Sequence, residues 1–195
     1  ARVGGIMKIA IMGAGGMGAY YGANLADVGQ DVAFIARGPH LEAMRRNGLA
    51  LTGDAGDRLI KPVTATDDPS EIGPVDVVLF SVKLYDVEAA AEAIRPLLRA
   101  DTMVISVLNG VDGPARIASV IGAEHVLGGA AYASAVIESP GIVSYKSTMA
   151  ALVIGELDGA PSPRAETFQA ACERAPFTCS VSANILGVLW DKFTL

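Results

Sequence analysis

Cysteine is nearly absent: Cys172 and Cys179 are the two in 195 residues. That is too few for a disulfide framework, and their spacing is not that of a metal site. Both read as reduced packing residues of a cytoplasmic protein. Residues 1–6 lack the charged-then-apolar order of a signal peptide, and Met7 reads as the natural start behind a short extension. Basic residues are also short in number, 15 Lys and Arg against 21 Asp and Glu, for a net charge of −6. This excludes a nucleic-acid surface, which needs clustered positive charge. No apolar run reaches the roughly 20 residues of a membrane-spanning helix, because Gly, Asp or Lys interrupts each one. Low-complexity runs and fixed-period repeats are missing too. What remains is a chain 51% hydrophobic with mean hydropathy +0.41, enough to bury the core of one domain and part of another.

The stretch Lys8-Ile9-Ala10-Ile11-Met12-Gly13-Ala14-Gly15-Gly16-Met17-Gly18 organises the rest. A short apolar strand runs into glycines spaced Gly-X-Gly-X-X-Gly, and helix-forming residues follow to Val28 before a second apolar run, 31–36. The first glycine permits the tight turn, the second lets the backbone approach a pyrophosphate, and the third lets helix and sheet pack closely. The pyrophosphate would rest on the helix amino end, where free N–H groups and the dipole favour negative charge. Gly13, Ala14, Gly15, Gly16, Met17 and Gly18 are therefore cofactor-binding candidates. About 20 positions beyond such glycines, an acidic residue selects NAD and a basic one accommodates the 2′-phosphate of NADP. Arg37 stands there, whereas Asp31 opens its strand at the wrong end of the sheet, so NADP is expected. A solvated loop arginine is the plain alternative.

Farther on, His40 opens a short helix stopped by Asn47-Gly48, as a cap or near an adenosine. Short strands are expected at 49–51 and 59–63, and a polar connection at 66–69. Residues 75–82 form a continuous apolar run, as in a parallel strand covered on both faces, and end at Lys83. A helix is expected over 86–98 and a further strand over 102–108, which delivers Asn109 to the same carboxyl edge where open α/β sheets bind ligands. Asn109-Gly110 also satisfies the chemistry of a plain turn. From His125 the pattern becomes antiparallel, with strands over 126–133, 141–145 and 151–154 and a hairpin at Ser139-Pro140-Gly141. A helix over 163–174, a strand over 177–181 and an amphipathic helix from Asn184 follow. The last of these runs to Leu195 with no stop signal, as though the chain were cut. The expected fold is α/β: a Rossmann-type doubly wound, mostly parallel sheet with an added antiparallel hairpin and the start of a helical second domain.

Taken together, five pieces resemble the ketopantoate reductase (2-dehydropantoate 2-reductase) family over essentially the whole chain. They are Met7-Lys8-Ile9 with the glycine loop, Ala36-Arg37-Gly38-Pro39-His40-Leu41 with Asn47-Gly48-Leu49, Ser81-Val82-Lys83-Leu84-Tyr85-Asp86, Leu108-Asn109-Gly110-Val111, and Asn184-Ile185 with Leu189-Trp190-Asp191-Lys192-Phe193. The resemblance implies that residues 1–183 form an NADP-binding domain. Residues 184–195 would begin a helical domain that completes the active site and mediates homodimer formation. It implies 2′-phosphate binding by Arg37, a nicotinamide and 2-oxoacid substrate side lined by Lys83 and Asn109, and a catalytic Lys192 that donates the proton to the carbonyl oxygen. An ammonium there stabilises the charge that develops on oxygen. The family's acidic partner and substrate-binding serine lie beyond Leu195, which implies that this piece binds cofactor but turns over poorly. Residues 144–149 lack the family's His and Gly pattern, which bears on substrate more than on cofactor. Arg37, Lys83 and Asn109 also fit two other readings, a related 2-oxoacid reductase or 2-hydroxyacid dehydrogenase and a non-catalytic NADP-binding sensor, and Lys192 separates the enzymes from the sensor.

Overall fold

A computed structural model describes residues 5–194. In chain order the elements are β1 (Lys8–Met12), α1 (Gly16–Asp27), β2 (Asp31–Ile35), α2 (Gly38–Asn47), β3 (Leu49–Gly53), β4 (Arg58–Ile60), β5 (Thr64–Thr66), β6 (Val77–Phe80), α3 (Val87–Ala93), β7 (Met103–Ser106), α4 (Gly113–Ile121), β8 (Val126–Ser139), β9 (Ile142–Glu156), α5 (Pro163–Ala171), β10 (Thr178–Val181) and α6 (Ile185–Phe193). All ten strands join one sheet in the order β4-β3-β9-β8-β7-β6-β1-β2-β5, with β10 on β9. Among the described pairings only β3–β4 and β8–β9 are antiparallel. The rest are parallel, as the doubly wound expectation requires.

Alternation within the strands explains the two-sided cover. Ile9 and Ile11 face one side with Phe34, Leu79 and Ile105, packed against Tyr20 and Tyr21 of α1. Ala10 and Met12 face the other with Val78, Phe80 and Val104, against α3 and α4 through Val87, Ala91, Ile117 and Ile121. Residues buried on both faces make β1, β6 and β7 read as unbroken apolar runs.

Three details differ from the sequence reading. The expected strands at 141–145 and 151–154 are one continuous strand, β9, with no break between them. Its outer edge is shared end to end: β3 pairs with Ile142–Tyr145 and β10 with Ala151–Ile154. The side chains of 147–149 lie outside the described residues. The expected connection 66–69 starts one residue late: Thr66 closes β5, a short parallel edge strand on β2 that the sequence reading did not expect and where β-branched threonines suit the pleat. Finally, the helix expected over 86–98 holds α-geometry only to Ala93, because Pro96 cannot continue it and a 3-10 turn follows.

Candidate functional site

The glycines of the loop after β1 differ in what an added side chain would meet. Gly13 has φ +91°, and a Cβ there would stand 3.0 Å from the Ser81 carbonyl. Gly18 sits where a Cβ would meet the Gly13 carbonyl oxygen and Ser81 Oγ at 2.3 Å, so α1 starts pressed onto the turn. Ser81 Oγ donates to that same carbonyl at 2.7 Å, a brace that no motif announced. At Gly16 a Cβ would be 2.2 Å from the Ala135 carbonyl oxygen of β8. Gly15 differs: it caps α1 without a side-chain hydrogen bond, and a Cβ there would meet nothing within 4 Å. The amino end of α1 is thus open at the position where the fingerprint requires backbone access. Ala14 N–H donates to Ile35 at 2.9 Å and locks the loop to the end of β2. Met17 contributes its backbone to the first turn while its side chain packs on the core.

A cleft of about 250 Å³ opens beside this loop, lined by Gly13, Gly15, Arg37, His40, Lys83 and Asp86 among others. Arg37 is the exposed N-cap of α2, and its side chain has no hydrogen bond or ion pair among the described residues. The Lys83 ammonium is likewise without a partner among the described residues. Two unpaired cations beside an uncapped helix terminus, in a chain of net charge −6, suit an anionic ligand. Asp31 opens β2 at the opposite edge, opposite Lys8, as expected. His40 ties α2 to the hairpin, its Nδ1 accepting from Gly141 N–H at 3.0 Å. Burial lowers its pKa, opposed by the Ala14 carbonyl.

The catalytic candidates gather one strand farther along. β6 and β7 are parallel neighbours with Phe80 beside Ser106, so Lys83 and Asn109 emerge at the same level of one sheet edge. Asn109 does open a turn, with Gly110 at φ +90°, and it also does more. Its Oδ1 accepts a hydrogen bond from Lys192 Nζ at 3.1 Å. Lys192 is brought there by α6, which Asn184 caps through Oδ1 to the Gly187 N–H at 3.1 Å. Ile185 and Leu189 bury against β8 and β9. The approach is close because β8 presents a glycine: a Cβ on Gly128 would stand 2.8 Å from Ile185. Burial alone lowers the Lys192 pKa from its ordinary value. Across the carboxyl edge, following the order β7-β6-β1-β2, the chain therefore presents Asn109 with Lys192, then Lys83, the glycine loop and Arg37.

The hairpin β8–β9 rises past this edge as a wall, with Ile137 lining the cleft. Sequence reasoning found the antiparallel addition but not its use, since nothing in a strand pattern says how far it overshoots its neighbours. The residues present fit a dinucleotide, judged on the open Gly15, the close-packed Gly18 and the unpaired Arg37 and Lys83.

The sequence model described as ketopantoate reductase PanE/ApbA matches residues 9–159. A 2-dehydropantoate 2-reductase of Mesorhizobium japonicum is 32% identical over 95% of this chain and 63% of its own length. One from Pyrococcus horikoshii is 31% identical over 95% of this chain and 60% of its own. The crystal structure of 2-dehydropantoate 2-reductase from Geobacter metallireducens superposes with a TM-score of 0.89 at 33% identity, over 95% of this chain and 61% of that one. The fold is shared as well with D-mandelate dehydrogenase in its ternary structure with NADH and anilino(oxo)acetate, at TM-score 0.86 and 24% identity, over 95% of this chain and 60% of that one. The chain thus spans about three-fifths of the length of the curated relatives it matches. Family and fold together carry a nicotinamide dinucleotide site and an oxidoreductase scaffold, and the chain belongs to the ketopantoate reductase PanE/ApbA family.

Proposed function

We propose that the protein of which this chain is part reduces the keto group of 2-dehydropantoate to pantoate with NADPH, a step toward pantothenate and coenzyme A in the cytoplasm. One observation carries the reading: the order of side chains along the sheet edge, with Arg37 at the adenosine end, the glycine loop in the middle, and Lys83, Asn109 and Lys192 at the far end. The bound cofactor supplies hydride to the carbonyl carbon. The open backbone N–H groups at the start of α1, Gly15 to Gly18, would hold the pyrophosphate beside the turn at Gly13 and Ala14, and Arg37 would pair with the 2′-phosphate. Asn109 holds one N–H of Lys192, leaving the ammonium's other protons for the substrate oxygen. Lys192 stabilises the developing alkoxide and gives it a proton. Lys83 faces the same side and attracts the substrate carboxylate.

Residues 1–183 act as the dinucleotide-binding domain, and α6 begins a helical domain through which the protein forms a homodimer. Support comes from the exposed face of α6, where Leu186, Trp190 and Phe193 recur at helical spacing. A second reading, reduction of another 2-oxoacid or oxidation of a 2-hydroxyacid, draws on the fold shared with D-mandelate dehydrogenase. NADPH oxidation by the protein at the length of its relatives, with 2-dehydropantoate beside pyruvate, 2-oxoisovalerate and benzoylformate, separates the two. Preference for 2-dehydropantoate supports the first reading, and preference for another acid transfers the same machinery to the second. Lys192→Ala should abolish turnover while NADPH affinity stays within a few fold. Unchanged turnover would remove the proton-donor role.

A further inference from the structure

Asn109 accounts for one side of Lys192. On another side, Lys192 Nζ stands 5.7 Å from the centroid of the Tyr132 ring. The placement follows from pleat and pitch. Gly128 faces Ile185 of α6, and Tyr132 lies on the same face of β8 two pleats on. Four strand residues advance about 13 Å, while the seven helical residues from Ile185 to Lys192 advance about 10 Å, so the two side chains arrive at one level. Immediately after Tyr132 the β8–β9 register shifts, between Tyr132 and Ser134. A bulge of this kind re-aims a strand side chain and is common beside active sites.

We propose that Tyr132 is a positioning residue for Lys192, its ring face and the Asn109 amide oxygen together fixing the ammonium at the carboxyl edge of the sheet. The proposal deepens the proton-donor reading given above and rests on it. An aromatic face attracts a cation without consuming any of its N–H groups, so the ring holds Lys192 and leaves its donors for the substrate. The same attraction favours the charged lysine over the neutral one, opposing the burial that lowers its pKa. Charged groups do not enter that shift. On α6 the neighbouring Asp191 is exposed, and in the loop after β7 Asp112 pairs with Arg116. On β8 and β9, Glu138 and Lys146 line a different cleft beyond the bulge, and Glu156 is held by Arg164.

The test is an NMR titration of the Lys192 ammonium, its signal assigned by Lys192→Arg, in the parent chain and in Tyr132→Phe, Tyr132→Leu and Tyr132→Met. The Phe variant should titrate with the parent, because the ring face remains. The Leu and Met variants should lower the Lys192 midpoint by about half a pH unit, the size expected for one partly exposed cation–π contact. In the protein at the length of its relatives, the alkaline limb of the kcat profile should move down by the same amount. An unmoved midpoint in both aliphatic variants would overturn the proposal, and so would a Phe variant displaced as far as Leu. If Lys192→Ala kept its turnover while the midpoint shifted as expected, the donor reading would fall and the contact would stand.

Discussion

Gly15 and Gly18 are three positions apart and answer to different forces. At Gly18 an added methyl meets backbone and hydroxyl oxygen at 2.3 Å, whereas at Gly15 it meets open space. Gly18→Ala should therefore cost about 1–3 kcal/mol of stability, as overpacking does. Gly15→Ala should stay within about 1 kcal/mol of the parent yet weaken dinucleotide binding by about tenfold or more, equivalent to about 1.4 kcal/mol. Thermal unfolding and calorimetry on the two variants measure the contrast. Arg37→Ala should weaken NADPH by roughly 30-fold, about 2 kcal/mol for a lost charge-assisted contact, and leave NADH within about twofold. Equal losses for both cofactors would reject the 2′-phosphate assignment. These positions were legible in the sequence because the constraints on them are local: a turn, a helix start, a strand end. Tyr132 was not legible, since its role depends on a helix 60 residues later arriving at the same level, and no spacing encodes that.

The same division holds for the elements. Strands β1, β6 and β7 announce themselves by apolar runs and α2 by its Gly48 stop, at φ +89° with its N–H on the Met44 carbonyl. By contrast β5 and the continuous β9 escape a periodicity argument, because partners distant in sequence decide whether a polar or mixed segment is a strand. One junction gives a quantitative test. Arg164 at the start of α5 grips Glu156 at the end of β9 with two bonds of 2.7 Å, and its Nη1 donates to the Glu124 carbonyl at 2.6 Å. Arg164 holds the Glu156 carboxyl below its ordinary pKa, with Ser162 adding to the effect and burial opposing it. A depressed carboxylate stabilises the fold above its unfolded pKa, and the contribution is lost as pH falls through the folded value. Arg164→Ala should thus lower stability by about 2 kcal/mol at pH 7, or about 6 °C in Tm. The gap to the parent should narrow as pH drops below about 4, which thermal melts across pH 3–8, in steps of about one unit, will read.

For the molecule as a whole, the apolar face of α6 is the conspicuous feature. Trp190 is 55% exposed, stacked edge-on with Phe193, and it is the single tryptophan of the chain. Its emission therefore reports this one surface. In a longer chain carrying the helical domain proposed above, emission should move to the blue and resist acrylamide quenching relative to residues 1–195 alone. Identical spectra would argue against cover by such a domain. A second consequence lies in the order of pairing along β9. Ala50 of β3 takes its partner Ile142 from β9, and β10 joins later still. During synthesis from the amino end, β3 and β4 emerge on the order of ten seconds before the strand that completes their edge. For that interval the nascent chain holds an unpaired edge beside a nearly finished cofactor loop. Slowing translation between β4 and β9 should lengthen the exposure and raise the share of chains lost to aggregates or captured by chaperones.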